Sequence, residues 1–325
     1  MKNLIKIILP TILIVICIIM ALNIGSIELT TQEMLQVVFG GGEGNRQIEI
    51  VRITRIPSIF IALLGGTMLA VSGVLLQAVM KNPLADPSII GITSGASFGV
   101  LLATTLFPSM LFLEPLFALI FGLLACGLIY GLAWKGTLNP VRVILAGVAI
   151  NTLFSGLESF VSYMTSSALT SALGSISTTG QNMNDVKMLC LYFTIGIISS
   201  FLLYKKCNVL GLGEHNAHSL GINVDKTRLL ISLVAVFMAI IPTIYIGPIS
   251  FVGLIIPHIG RKVVGNNHKY LILYSGLLGG ALLICADVIS RSIIYPIEIP
   301  LNTIMALLGG PFFLYMIRKG DTYAG

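Results

Sequence analysis

Apolar segments of about 20 residues recur along the chain, and this repetition constrains the fold more than any other feature of the sequence. The hydrocarbon core of a bilayer is about 30 Å thick, so a helix needs about 20 apolar residues to cross it. Within lipid, the backbone groups of such a segment must bond to one another, which favours a helix. Ten segments of this kind occur, at residues 4–24, 57–80, 88–107, 115–134, 141–163, 187–204, 227–246, 249–264, 270–290 and 301–317. We therefore predict an all-α integral membrane protein with about ten transmembrane helices.

The composition supports a chain embedded in a lipid bilayer. Of its 325 residues, 56% are hydrophobic and 10% are charged, whereas soluble proteins average roughly 25% charged residues. No soluble domain or polar linker interrupts the sequence, so residues 1–325 are predicted to form a single transmembrane domain. The net charge of +6 is scattered, with no basic run interleaved with aromatic residues, so nucleic acid is not a predicted partner. The first apolar segment is longer than that of a signal peptide, and we expect it to be retained.

The distribution of lysine and arginine predicts which side of the membrane each loop occupies. Cytoplasmic loops of membrane proteins are enriched in these two residues. If the N-terminus is cytoplasmic, fourteen of the 19 cations fall on the inner side of the predicted spans. Both termini are therefore predicted to be cytoplasmic. The same map places a polar segment, residues 208–226, in the cytoplasm between the sixth and seventh spans.

This polar segment is the longest predicted cytoplasmic loop, and it admits three interpretations: a metal site, a catalytic loop or a docking surface. His215 and His218 are three residues apart, a spacing that allows one helical face to hold a metal ion. No carboxylate-rich or cysteine motif lies nearby, and the five cysteines of the chain form no CxxC pair. We favour a docking surface, formed by a short pair of amphipathic helices that present Ala217, Leu220 and their polar neighbours to a cytosolic partner.

Small and polar residues recur along the fifth predicted span. Gly147, Asn151, Ser155 and Ser159 are spaced four residues apart, so they follow one face of a helix. In lipid, such a stripe indicates either close packing between helices or a face that meets water. The first interpretation is structural, and the second is a translocation pathway for a bulky solute. Both remain open from the sequence.

Three arginines fall on the predicted outer side, and they also admit two interpretations. Arg291 follows Asp287 by four residues, the spacing of an ion pair at a helix end. Alternatively, Arg291 joins Arg52 and Arg55 in an exposed cationic cluster. Such a cluster would suit an acidic protein partner, because complementary charge steers docking.

Prolines mark two interruptions of the apolar sequence. Pro83 and Pro87 prevent a continuous helix through residues 80–88, which predicts a tight turn there. Pro257 lies within the short eighth segment, and we expect it to break that helix.

Motifs for catalysis are missing from the sequence. The glycine-rich residues 40–45 lack the GK[ST] ending of a phosphate-binding loop. No HExxH motif, nucleophile elbow or pair of carboxylates occurs. We therefore expect neither catalysis nor a cofactor in this chain, and any nucleotide hydrolysis is expected on another subunit.

Several motifs, spread over nearly the full chain, resemble those of one family. They are RIP at residues 55–57, KNPLADP at 81–87, GITSGA at 91–96, LGINV at 220–224, GPISFVGLIIPH at 247–258, AD…R at 286–291 and EIP…LGGP at 298–311. In this order they resemble the FecCD-type permeases, the membrane subunits of ATP-driven importers for iron–siderophores, haem and cobalamin.

The resemblance implies two copies of a ten-helix subunit, or one copy and a paralogue, with a path between them. Two cytoplasmic ATPase subunits would hold ATP and Mg, and a solute-binding protein would dock on the outer side. The polar segment corresponds to the family's coupling helices, which sit in a groove of the ATPase. The residues implied in coupling are Glu214, His215, Ala217, His218, Leu220 and Gly221.

The resemblance also implies a docking role for the outer arginines. In the family, such arginines contact glutamates of the solute-binding protein. Arg55 and Arg291 match those positions. Ser58 stands where the common pattern has a second arginine, and Arg52 is the candidate to substitute for it.

Two functions from different classes follow from these observations. The first is an importer permease for a chelated-iron compound such as a ferric siderophore, or for haem or cobalamin. The second is an ion-coupled secondary transporter, a class that generally carries ionisable groups deep in the membrane. Here Glu158 and Asp287 fall near the ends of the predicted spans, so the importer permease is favoured.

Overall fold

The structure is a computed structural model that describes residues 2–24, 30–42, 44–135, 137–138, 140–165, 181–294 and 298–319. These residues form twelve α-helices and one small hairpin. The helices are α1 (Lys2–Asn23), α2 (Thr31–Phe39), α3 (Arg46–Met80), α4 (Ile92–Leu106), α5 (Glu114–Ala133), α6 (Pro140–Met164), α7 (Met183–Gly211), α8 (Glu214–Ser219), α9 (Val224–Ile246), α10 (Val252–Val264), α11 (His268–Ser292) and α12 (Leu301–Lys319). A 3₁₀ turn at Leu111–Leu113 precedes α5.

The all-α prediction is confirmed, apart from two antiparallel strands of two residues each, β1 (Trp134–Lys135) and β2 (Thr137–Leu138). A helix occupies each of the ten predicted segments, and the short helices α2 and α8 lie between them. Among the described residues, seven helices are long and apolar enough to cross a bilayer. The helices α4, α10 and α12 are shorter, so the count of ten crossings stays a prediction.

Helix α3 is the centre of the bundle. It is 35 residues long and packs against α7, α9, α10 and α11. Glycines allow this packing to be close. A Cβ atom on Gly66 would lie 2.3 Å from the carbonyl oxygen of Gly279 in α11, and one on Gly73 would lie 2.0 Å from that of Gly253 in α10. Because lipid supplies little hydrophobic driving force between helices, such close contacts supply much of the packing energy.

Helix α10 continues through Pro257, so the break predicted from the sequence is wrong. A proline has no N–H group, and it leaves the carbonyl four residues earlier, that of Gly253, without its usual donor. The side-chain amide of Gln77, on α3, donates to the Gly253 carbonyl at 3.0 Å. Gln77 is buried, and its oxygen accepts a hydrogen bond from Arg261 near the other end of α10. The helix survives its proline because α3 supplies the missing donor.

The bundle has two ends, which we name after the short helices found there. At the α8 end, the N–H of His268 donates to Oδ1 of Asn208 at 2.8 Å, which joins α11 to the last turns of α7. At the α2 end, the guanidinium of Arg55 donates to the carbonyl of Leu22, which joins α3 to the last turn of α1. Residues predicted to lie on opposite sides of the membrane are thus at opposite ends of the bundle.

We predict that Gly66→Ala destabilises the bundle, because the new methyl group would force α3 away from the Gly279 backbone. The expected loss is about 1–3 kcal/mol, the usual range for an overpacked interior. The measurement is the free energy of unfolding in detergent micelles containing increasing SDS.

The matched control is Gly127→Ala on α5, where a Cβ atom would meet nothing within 4 Å. The control should keep or slightly raise the free energy of unfolding. Equal stability of the two variants would contradict close α3–α11 packing.

Candidate functional site

The loop between α7 and α9 forms a short helix bounded by glycines. Gly213 precedes α8 with φ of 102°, and Gly221 follows it with φ of 75°, values that glycine adopts without strain. Asn216 donates to the carbonyl of Leu212 at 2.8 Å, which closes the start of the loop. Asn223 accepts from the N–H of Lys226 at 3.0 Å and caps the start of α9.

An ion pair attaches α8 to α9. The carboxylate of Glu214 accepts a hydrogen bond from the guanidinium of Arg228 at 2.7 Å. The Arg228 side chain is 7% exposed, whereas that of Glu214 is 50% exposed. The hydrogen bond and charge of Arg228 lower the pKa of the Glu214 carboxyl, and the nearby Lys81 and His218 lower it further. The carboxylate is therefore held ionised at the α8 end.

The remaining residues predicted to couple the chain to a partner are divided between two faces of α8. Ala217 is fully buried beneath the helix, while His215, His218, Leu220 and Gly221 are exposed. The expectation that Ala217 is presented to a partner is wrong, and so is the expected pair of helices, since the loop contains one helix of six residues. The Ala217 methyl group instead fixes the inner face of α8.

The two histidines of α8 do not belong to a larger ligand set in the part of the chain that the structure describes. No group of three His, Cys, Asp or Glu side chains there could hold a metal ion. The free side of α8 combines an apolar residue, Leu220, which is 60% exposed, with two imidazoles.

The three arginines predicted to dock a protein partner lie at the α2 end, but two are buried. The side chain of Arg291 is 8% exposed and pairs with Asp287 at 2.6 Å, which confirms the ion pair at the end of α11. Arg55 is 5% exposed. Arg52 donates to the carbonyls of Gln36 and Gly41, at 2.8 and 3.0 Å.

The prediction of an exposed cluster is therefore wrong for Arg55 and Arg291. Arg55 and Arg291 do lie close enough to repel one another electrostatically. Their role in docking stays a prediction, and so does that of Arg52, which is half-buried.

The polar stripe of α6 is tightly packed at one end and exposed at the other. A Cβ atom on Gly147 would lie 2.9 Å from Cα of Ile90, so this part of the stripe packs tightly against the turn that precedes α4. Asn151 is half-buried beside the same turn, whereas Ser155 and Ser159 are exposed. The stripe thus has a packing function at one end and an open polar face at the other.

Arg228 was missed by the sequence analysis, which counted it only among the cytoplasmic cations. The signal available was an arginine located within an apolar stretch, since charged groups in such positions are usually paired. No spacing rule links Arg228 to Glu214, which is fourteen residues away across a loop.

Comparisons with known proteins give one family. The sequence profile of the FecCD transport family matches residues 13–319. The Fe(3+)-citrate import system permease protein YfmD of Bacillus subtilis is 34% identical over 302 residues, which cover 92% of this chain and 90% of that one. The protein named "Probable heme-iron transport system permease protein IsdF", from Staphylococcus aureus, is 37% identical over 297 residues, with coverage of 91% and 90%.

Two solved structures are also similar to this chain. The structure described as "An inward-facing conformation of a putative metal-chelate type ABC transporter" has a TM-score of 0.80 and 30% identity, and the match covers 96% of this chain and 98% of that one. PsaBC from Streptococcus pneumoniae, solved with a Fab, has a TM-score of 0.61 and 18% identity over 87% and 94% of the two chains. This second likeness shows the fold alone.

We predict that acid releases α8 from α9. A carboxylate whose pKa is lowered by folding contributes stability above its ordinary pKa, and the contribution is lost as the pH falls through the lowered value. The hydrogen-exchange protection factors of α8 should therefore be constant above about pH 5 and fall below about pH 4. In Glu214→Gln the protection should be weaker and independent of pH over this interval. The same fall in the variant would show that another group causes it.

Proposed function

This chain belongs to the FecCD transport family, and we propose that it forms the translocation pathway of an ATP-driven importer for a chelated-iron compound. Its character as an ABC transporter permease of the bacterial inner membrane follows from the family, from the relatives' names and from the apolar helices. The observation that carries the proposal is the short polar helix α8, held at one end of a largely apolar bundle by the Glu214–Arg228 ion pair.

The α8 end faces the cytoplasm in this proposal, as do both termini, and ten helices cross the membrane. The lysine and arginine distribution supports this orientation. Exposed cations at the α8 end include Lys81, Lys206, Lys226 and Lys269. The shorter helices α4, α10 and α12 also cross in this proposal, because a bilayer can thin locally around a hydrophobic stretch that is shorter than its core.

In this proposal, ATP hydrolysis on the ATPase subunits drives movement of this chain through α8. Two ATPase subunits hold ATP and Mg and carry out the hydrolysis, while this chain catalyses no reaction. The exposed His215, His218 and Leu220 contact the ATPase, while the Glu214–Arg228 ion pair and the buried Ala217 hold α8 on the bundle. Gly221 ends the helix with its positive φ and lets the chain turn into α9.

The solute moves between two permease copies, or between this chain and a paralogue. The exposed Ser155 and Ser159 of α6 support this arrangement. Hydroxyl groups at such a face are small, and they bond back to their own helix, as Ser159 does to the carbonyl of Ser155 at 2.9 Å. A path lined in this way offers few strong contacts to a bulky solute, which can therefore leave.

A solute-binding protein delivers the cargo at the α2 end. Arg52 supplies positive charge that an acidic partner would recognise, with Arg55 and Arg291 lying deeper at the same end. Because Arg55 and Arg291 are largely buried, Arg52 is the first of the three that a partner would meet. The relatives named for ferric citrate and for haem iron support a cargo of this class. A ferric siderophore, haem or cobalamin would each be compatible with it.

The proposal predicts that α8 is needed for coupling and not for folding. In vesicles containing the permease, its ATPase subunits and its binding protein, uptake of ferric citrate or haem should require ATP on the α8 side. Leu220→Arg should reduce ATP-driven uptake about tenfold, the size expected for the loss of an anchoring apolar contact at an interface. The yield of folded permease should be unchanged, because Leu220 is exposed.

The matched control is Asn266→Arg, which adds the same charge at an exposed position of the α8 end outside the loop. Full ATP-driven uptake by Leu220→Arg would contradict the role of α8. Uptake driven by an ion gradient, with the permease as the sole protein in the vesicles, would overturn the proposed function.

A further inference from the structure

Glu214 is implied in contact with the ATPase, but its carboxylate is already bonded within this chain. Arg228 of α9 donates to it at 2.7 Å. The backbone on either side of α8 is compliant, because Gly213 and Gly221 flank the helix. Side-chain contacts must therefore determine how firmly α8 is attached. The ion pair and the buried Ala217 are the contacts that attach it.

The burial of the two partners is unequal, and this makes Arg228 depend on Glu214. The guanidinium is removed from water, with its side chain 7% exposed, while the carboxylate is half exposed. The Nε atom of Arg228 has no hydrogen-bond partner among the described residues. A buried charge without a counter-charge is strongly destabilising, whereas a half-exposed carboxylate is hydrated by water. Loss of Glu214 should therefore destabilise the start of α9 more than loss of Arg228 destabilises α8.

The contacts continue from Arg228 into the bundle. Ser232 lies one turn further along the same face of α9, and its hydroxyl bonds to the hydroxyl of Tyr130 on α5. Both residues are buried. Arg228 is close enough to Tyr130 to interact with it electrostatically. Neighbouring polar groups thus connect the Glu214–Arg228 pair to α9 and α5.

We propose that the Glu214–Arg228 ion pair is the joint that transmits movement of α8 to α9 and α5, with Arg228 as a positioning residue that touches neither ATP nor cargo. This inference rests on the proposed function, because it concerns how the movement of an ATPase would reach the membrane helices. It assigns the Glu214 carboxylate to the contact with α9, and leaves the contact with the ATPase to His215, His218 and Leu220.

The test uses the full permease assembled with its ATPase subunits, and its readout needs no cargo. Hydrogen exchange is compared with and without ATP in residues 224–232 of α9 and 128–133 of α5. In the wild-type complex, ATP should change the exchange of both segments. In Glu214→Gln and in Arg228→Gln this change should decrease about tenfold. The charge reversal Glu214→Arg with Arg228→Glu should restore it to within about threefold of the wild type.

Two further measurements separate a joint from a merely structural contact. Glu49→Gln and Lys269→Gln, which remove exposed charges elsewhere, should respond to ATP as the wild type does. The yield of folded protein should fall more in Glu214→Gln than in Arg228→Gln, since the former leaves the buried guanidinium without its counter-charge.

The failures of the two proposals are distinguishable. An unchanged response to ATP in Arg228→Gln, together with a lost response in Glu214→Gln, would mean that Glu214 touches the ATPase directly, and the joint would be overturned. Charge reversal that restores nothing would overturn it as well. A permease that assembles with no ATPase subunit would instead overturn the proposed function.

Discussion

Every N–H and carbonyl group inside a membrane-spanning bundle must find its partner within the protein, because lipid offers none. Pro257 is the position where this chain meets that requirement with a residue from another helix. The Gln77 amide bonds to the carbonyl that the proline leaves free and also holds Arg261. Helix α3 therefore fixes α10 near both of its ends. The same pair of helices touches backbone to backbone at Gly73 and Gly253, a distance that leaves no space for larger side chains.

Three arginines of the bundle are likewise bonded to groups within the protein. Arg55 bonds to the carbonyl of Leu22, Arg291 to Asp287, and Arg228 to Glu214. Each guanidinium lies close to an end of the bundle, and each joins two helices or secures the end of one. Removing the partner of a buried charge is strongly destabilising. The structural and functional roles of these arginines are thus difficult to separate by a single substitution.

The sequence predicted the helices because the bilayer sets their length and apolarity without reference to tertiary contacts. It predicted the ion pair of Asp287 and Arg291 because their spacing is local. It did not predict the intact helix at Pro257, because the freed carbonyl of Gly253 bonds to a donor that is 176 residues away in sequence. The burial of Ala217 and Arg55 also depends on neighbouring helices, as does the split of the α6 stripe between a packed Gly147 and an exposed Ser159. Local patterns thus located the candidate site, while its internal contacts required the fold.

The length of α3 has a mechanical consequence. Its 35 residues extend about 52 Å, well beyond the roughly 30 Å of a hydrocarbon core. One continuous rod therefore reaches from the neighbourhood of Arg52 at one aqueous surface to Lys81, beside Glu214, at the other. Helix α3 continues through Pro57 and packs against four other helices, so it connects its two tips within one secondary-structure element. The two ends of the bundle are therefore joined by a single helix.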